Sequence, residues 1–234
     1  MNKNVVPLFK KGQFCGTGFL VENCLLTAGH VLLHGMYVDM LYDGVLYSLT
    51  KYDLRGYVNP AISETEVECT SCHLDYACFV LPRGITGGLV VSEAELEKEE
   101  LLDNCAYLPD GKGGYTYVEC QTLVTKPTNA TFRGDECTCA ETCFEGYTTE
   151  RLGHGSSGSP VMKEGKVVGI MIMGQDSYIP AQWFKDNGYK GELDDRTAEM
   201  QLRRSIYVKM SAVMDDFEER MKHNAWRNSL ARPC

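Results

Sequence analysis

The segment Gly155-Ser156-Ser157-Gly158-Ser159-Pro160 runs directly into a strand-like stretch, 161–173, and narrows the choice of fold more than any other part of this chain. Glycines two residues before and one residue after Ser157 allow a tight, exposed turn, because glycine adopts backbone angles closed to other residues. On such a turn a hydroxyl is free to attack, and neighbouring backbone N–H groups can converge on one point. Acyl transfer needs that pairing of a nucleophile with donors for a developing oxyanion. Gly/Ser turns are common, so the string gains its meaning from two others. Thr27-Ala28-Gly29-His30-Val31 lies upstream, and His73-Leu74-Asp75-Tyr76-Ala77 lies between the two. Together they offer a hydroxyl, an imidazole to move its proton and a carboxylate to orient the imidazole. Ser156 is a rival hydroxyl, and Asp39, Asp43 and Asp53 are rival carboxylates between His30 and Ser157.

Composition removes several other classes. Apolar residues make up 44% and charged residues 24% of the 234 positions, the balance of an ordinary globular chain. That length suffices for one large domain or two small barrels with a shared core. A formal charge of −9 argues against general nucleic-acid binding, since phosphate contacts need a cationic face. The pair Arg203-Arg204 leaves room only for weak, local RNA contact. No apolar run approaches the ~20 residues that span a bilayer. No long apolar stretch follows Met1-Asn2-Lys3-Asn4, so no signal peptide is expected there. Eleven cysteines are many, and their number is odd. Without a leader segment, reduced thiols in a cytosolic compartment are expected.

Turn residues divide the first half into short strands at 16–21, 37–41, 45–52 and 77–81, which suits an antiparallel barrel. Character changes over 83–104, where Gly84, Gly87 and Gly88 precede an acidic run at 92–100. This stretch is expected to link two units, 1–82 and 105–210, with a helical turn capped by Ser92 and supported by Glu95. Strands resume at 115–124 and 161–173. In the tail, 211–234, Val213, Met214, Phe217 and Met221 recur at helical spacing. The spacing predicts an amphipathic helix over 211–226 packed on the second unit.

Several of these strings resemble the chymotrypsin-like serine proteases. Phe14-Cys15-Gly16-Thr17-Gly18-Phe19, then Leu25-Leu26-Thr27-Ala28-Gly29-His30, is similar to the segment that ends in that superfamily's catalytic histidine. Asp75-Tyr76-Ala77-Cys78-Phe79-Val80-Leu81-Pro82 is similar to its aspartate segment, and 155–160 to its serine segment. Ile206-Tyr207-Val208-Lys209-Met210 and the following helix resemble its last strand and C-terminal helix. The order His, Asp, Ser separates this fold from other hydrolases with the same three residues. The resemblance implies an all-β fold of two six-stranded antiparallel β-barrels with a C-terminal α-helix. The first barrel, 1–82, would carry His30 and Asp75, and the second, 105–210, would carry Ser157. It implies the backbone N–H groups of Gly155 and Ser157 as an oxyanion hole, with no cofactor and no metal.

Three departures refine that likeness. Ser156 stands where the digestive enzymes have the aspartate that pairs with a freshly cut N-terminus. Val31 stands where Cys15 would find its disulfide partner, and the loops are lean. Compact, reduced forms without a zymogen step resemble the proteases with which positive-strand RNA viruses, such as astroviruses, arteriviruses and sobemoviruses, cut their own polyproteins. The implied partner is the chain's own polyprotein. The implied setting is the host-cell cytoplasm, with release from a membrane-associated precursor. A cellular glutamyl-endopeptidase-like protease and a protease-fold module that binds RNA or a protein partner are the rival readings.

The same resemblance places Arg151, six residues before Ser157, at the floor of the specificity pocket. Met171, Met173 and Gly174 would form its wall strand, and Ser205 with Gly174 would set its width. Met171 falls where glutamine-cutting relatives carry a histidine. A buried Arg151 would pair bidentately with an acidic side chain, so cleavage after acidic residues is expected. Cys69-Thr70-Ser71-Cys72-His73 matches a haem-attachment string, but it leads straight into Asp75. Cys137, Cys139 and Cys143, with Cys69, Cys72 or His73, lack a standard zinc spacing. Asn129-Ala130-Thr131 is a glycosylation sequon that matters only outside the cytosol. The stretch 175–204 is longer than its counterpart in trypsin and reads as a lid or an insertion.

Overall fold

Alternating burial along the chain produces strands that present one face to a core. The second half shows this clearly: Cys120, Thr122 and Val124 are buried, while Glu119, Gln121 and Leu123 between them are exposed. The computed structural model describes residues 1–33, 35–58, 74–127, 142–174 and 204–230, with side chains only to residue 220 in the last stretch. The string 69–73, Cys137, Cys139, the sequon at Asn129 and residues 175–203 lie outside the described residues.

The first unit contains β1 (Val5–Lys10), β2 (Gln13–Glu22), β3 (Cys24–Thr27), β4 (Tyr37–Tyr42), β5 (Val45–Thr50), β6 (Leu54–Val58), β7 (Tyr76–Val80) and the two-residue β8 (Gly87–Gly88). They form one curled antiparallel sheet in the order β5-β4-β1-β2-β3-β7-β6, with β8 added beside β2. The second unit contains β9 (Leu101–Pro109), β10 (Tyr115–Lys126), β11 (Cys143–Thr148), β12 (Pro160–Lys163), β13 (Lys166–Gly174) and β14 (Arg204–Lys209). These close into a six-stranded barrel, β10-β11-β14-β13-β12-β9. The chain ends in helix α1 (Met210–Leu230). The fold is therefore chymotrypsin-like. Its first unit departs from the expected six strands, because among the described residues the exposed β5 and the strand β6 remain edges.

Two expectations need correction. The stretch 161–173 is a hairpin rather than one strand. Glu164 and Gly165 both adopt left-handed backbone angles, φ 51° and 75°, the conformation that reverses a chain in a two-residue hairpin. The helical turn at Ser92 does not form. The Ser92 N–H donates to the Val167 carbonyl at 2.8 Å, and the Val167 N–H donates to Val90 at 2.8 Å. The connecting segment thus runs extended along β13, and its backbone groups are committed there.

A first apolar cluster fills the sheet and continues between the units through Cys105, Tyr107, Ile170 and Val208. A second lies inside the closed barrel around Phe144, Val161, Met171 and Tyr207. The buried Tyr207 hydroxyl bonds Thr122 and Asn104, each at 2.9 Å, and its ring stacks on Phe144 at 4.9 Å. The second core thus tolerates a polar centre because that centre is hydrogen-bonded. Helix α1 packs on β13 and β14, as its apolar spacing predicts, and also reaches the first unit, where Phe217 approaches Gly56. Among the described residues no helix is long and apolar enough to cross a membrane.

Candidate active site

Strand β3 ends at Thr27, and a 3-10 turn over Gly29–Leu32 carries His30. Asp75 precedes the first residue of β7, which pairs with β3. The Asp75 carboxylate is buried and grips His30 at two points. Its Oδ1 accepts the His30 backbone N–H at 2.8 Å, and its Oδ2 lies 2.6 Å from Nδ1 of the ring. The carboxylate is 3% exposed and the imidazole side chain 29%, so the ring is anchored on one side and open on the other. The rival carboxylates serve elsewhere. Asp39 accepts the Ser48 hydroxyl at 2.6 Å, Asp53 accepts the Thr50 N–H at 2.8 Å, and Asp43 forms the β4–β5 turn.

Gly155 and Gly158 have φ of +93° and +88°, and these left-handed angles let the intervening residues turn tightly. Inside the turn the Ser156 N–H and hydroxyl both donate to the Gly153 carbonyl, at 3.1 and 2.6 Å. The Gly158 N–H donates to Met171 at 2.7 Å and the Ser159 N–H to Ser156 at 3.0 Å. The N–H groups of Gly155 and Ser157 take part in no hydrogen bond among the described residues. Two adjacent donors are thereby left for a ligand. Ser156 is buried with its hydroxyl committed, whereas Ser157 is half-buried, so Ser157 is the available hydroxyl.

Thr17 of β2, to which the sequence assigned no role, joins the two units at this point. Its N–H donates to the Ser157 carbonyl at 2.9 Å, and its hydroxyl donates to the Gly155 carbonyl at 2.8 Å. The Thr17 hydroxyl also accepts the Tyr107 N–H at 3.0 Å, and its carbonyl accepts the Thr27 hydroxyl at 2.7 Å. Gly158 packs so closely on Thr17 and Thr27 that a side chain there would overlap both. The serine turn therefore rests on the residues that lead into His30. The only sequence signal for Thr17 is its position between Gly16 and Gly18, where the strand is thinnest.

The specificity residues fall differently. Arg151 is exposed and already engaged within the chain, so the expectation of a buried cation at a pocket floor is corrected. A hydrated guanidinium has no need of a substrate carboxylate. Met171 is buried in the core of the second barrel, Met173 is half-buried, and Gly174 pairs with the buried Ser205. The Leu152 carbonyl presses directly against Gly174, which brings the walls of this region into contact. Arg204 is no basic patch. Its guanidinium bonds the buried Glu145 carboxylate at 2.9 and 2.6 Å, and Lys126 lies 3.6 Å from the other carboxylate oxygen. Cys15, Cys24, Cys78, Cys105, Cys120 and Cys143 are free thiols, and no metal-holding group occurs among the described residues.

A family model described as Trypsin matches residues 3–182. Comparison with curated protein sequences returns no match. Solved structures supply similar folds. The active form of the Rv3671c protease from M. tuberculosis is 15% identical, with 92% of this chain and 79% of that one covered and a TM-score of 0.57. The serine protease of a human pathogenic astrovirus is 14% identical, covers 88% and 89% and gives 0.50. Mouse neuropsin, a serine protease, is 12% identical, covers 94% and 95% and gives 0.58. Likeness at this level of identity establishes the fold, and the family match establishes the lineage. The chain belongs to the trypsin family, and with it to the serine endopeptidases of chymotrypsin-like fold.

Proposed function

We propose that Ser157, His30 and Asp75 form the catalytic triad of an endopeptidase that processes the polyprotein of a positive-strand RNA virus. Ser157 Oγ attacks the scissile carbonyl while His30 takes its proton. Asp75 holds the tautomer with the proton on Nδ1 and stabilises the imidazolium as it forms. The oxyanion of the tetrahedral intermediate accepts the N–H groups of Gly155 and Ser157, each donor typically worth ~3 kcal/mol in the transition state. His30 then returns its proton to the leaving amine, and water, deprotonated by the same ring, releases the acyl group. The observation that carries this reading is the two-point grip of Asp75 on His30 beside a serine turn whose two outer N–H groups are unspent.

Three features favour the viral assignment. Ser156 closes its own turn on Gly153, so the turn forms without a new N-terminus. Cys15 is a free thiol, which suits a reducing host-cell cytoplasm. The fold is also shared with an astrovirus serine protease. Preference for an acidic residue loses its support with the exposure of Arg151, and RNA contact loses its support with the pairing of Arg204. A fluorophosphonate probe followed by peptide mapping tests the nucleophile. Modification of Ser157 alone is expected, and modification of Ser156 would overturn the assignment.

A further inference from the structure

Asp75 lies one residue before the first rung of β7, where Val58 pairs with Tyr76. Its position therefore depends on how Tyr76 is anchored. The Tyr76 side chain is fully buried, with its ring and hydroxyl against Gly56 of β6, and Phe217 of α1 covers the same glycine. At the far end of the ring the hydroxyl donates to the Asp216 carboxylate of α1 at 2.6 Å. Arg220, one turn further along the helix, donates to the same carboxylate oxygen at 2.6 Å. Charge-assisted bonds of this length are the stronger kind, and here two of them converge on one oxygen. Burial first, and then the bond to Asp216, push the Tyr76 phenol far above its ordinary value, so the hydroxyl stays a donor at any working pH.

We infer that Tyr76 and Asp216 are positioning residues, a link by which the C-terminal helix holds Asp75 in line with His30. The inference rests on the catalytic reading of His30, Asp75 and Ser157. Rotation or withdrawal of the helix would release the Tyr76 ring, and the adjacent Asp75 would move with the backbone. Small displacements of a catalytic group cost rate steeply while leaving substrate binding untouched.

Tyr76→Phe removes the hydroxyl and keeps the ring. It should lower kcat roughly tenfold at unchanged KM, and should shift or broaden the downfield proton resonance of the His30 Nδ1–H. Asp216→Leu should reproduce both effects, whereas Asp216→Asn, which keeps an acceptor oxygen, should restore most of the rate. Val213→Ala removes a buried apolar contact of the same helix and controls for structural weakening. It should lower the melting temperature and leave kcat and the resonance in place. Unchanged kcat with an unmoved resonance in both Tyr76→Phe and Asp216→Leu would overturn the link, as would an equal loss of kcat in Val213→Ala. If Tyr76→Phe does not fold, the two Asp216 variants decide, because that side chain is partly exposed. Asp75→Asn separates the two levels. Full turnover in that variant would remove the catalytic assignment itself, whereas its loss alongside an active Tyr76→Phe would remove only the link.

Discussion

Thr17 uses every polar group it has at the junction of the two units. Its hydroxyl holds the peptide between Gly155 and Ser156, which lies between the two unspent N–H groups, and so sets the direction in which both donors point. Thr17→Val keeps the shape and removes the hydroxyl. The buried Gly155 carbonyl and Tyr107 N–H would lose their partner, at a cost of about 1–3 kcal/mol. Urea unfolding should show that loss, and kcat should fall with it; an unchanged midpoint would contradict the clamp. At this scale the three strings proposed to be catalytic stand out in the sequence because the chemistry requires particular side chains in short, ordered segments. Thr17 does not, since its role depends on a contact with residues about 140 positions away. The exposure of Arg151 was not legible either, because whether a side chain turns inward depends on packing that no spacing encodes.

At the scale of elements, β3 and β7 do more than lead to His30 and Asp75. Leu26 pairs with Cys78 and Cys24 with Val80, so Cys24 and Cys78 are diagonal neighbours on one face of the sheet. The hydrogen bond from the buried Cys78 thiol, helped by Arg55, lowers the Cys24 thiol to about 7, against the opposing effect of partial burial. The same bond and burial push the Cys78 thiol far up. Burial also raises Cys15 and Cys105 to about 11 and Cys120 to about 12. A lowered value means that Cys24 is half thiolate near pH 7 and loses its reactivity as pH falls below it. Iodoacetamide at neutral pH should therefore alkylate Cys24 first among these thiols, with a rate that rises through a midpoint near pH 7. Faster alkylation of Cys15, or a midpoint above pH 9, would contradict the pairing. Sequence reading of the elements succeeded where burial alternates, as in β10. In β12 and β13 apolar residues continue on both sides of Glu164-Gly165, so the sequence reads as one strand, and only the left-handed pair marks the reversal. At Ser92 the capping pattern for a helical turn is satisfied locally, yet the ladder to Val167 outcompetes it.

On the scale of the whole molecule, His30 and Asp75 lie beside strands of the curled sheet and Ser157 beside strands of the closed barrel, so the proposed site draws on both units. The junction itself was not legible in the sequence: the Thr17 clamp and the reach of α1 across to Tyr76 both join residues far apart in the chain. Their geometry turns three separated strings into one proposed reaction centre, which turnover of an activated ester and of a peptide library tests directly. The wild-type chain should cleave both. Ser157→Ala, with an unchanged melting temperature, should lose roughly 10⁴-fold or more in kcat. A Ser157→Ala chain that retains the wild-type rate would contradict the assignment of Ser157 as the nucleophile.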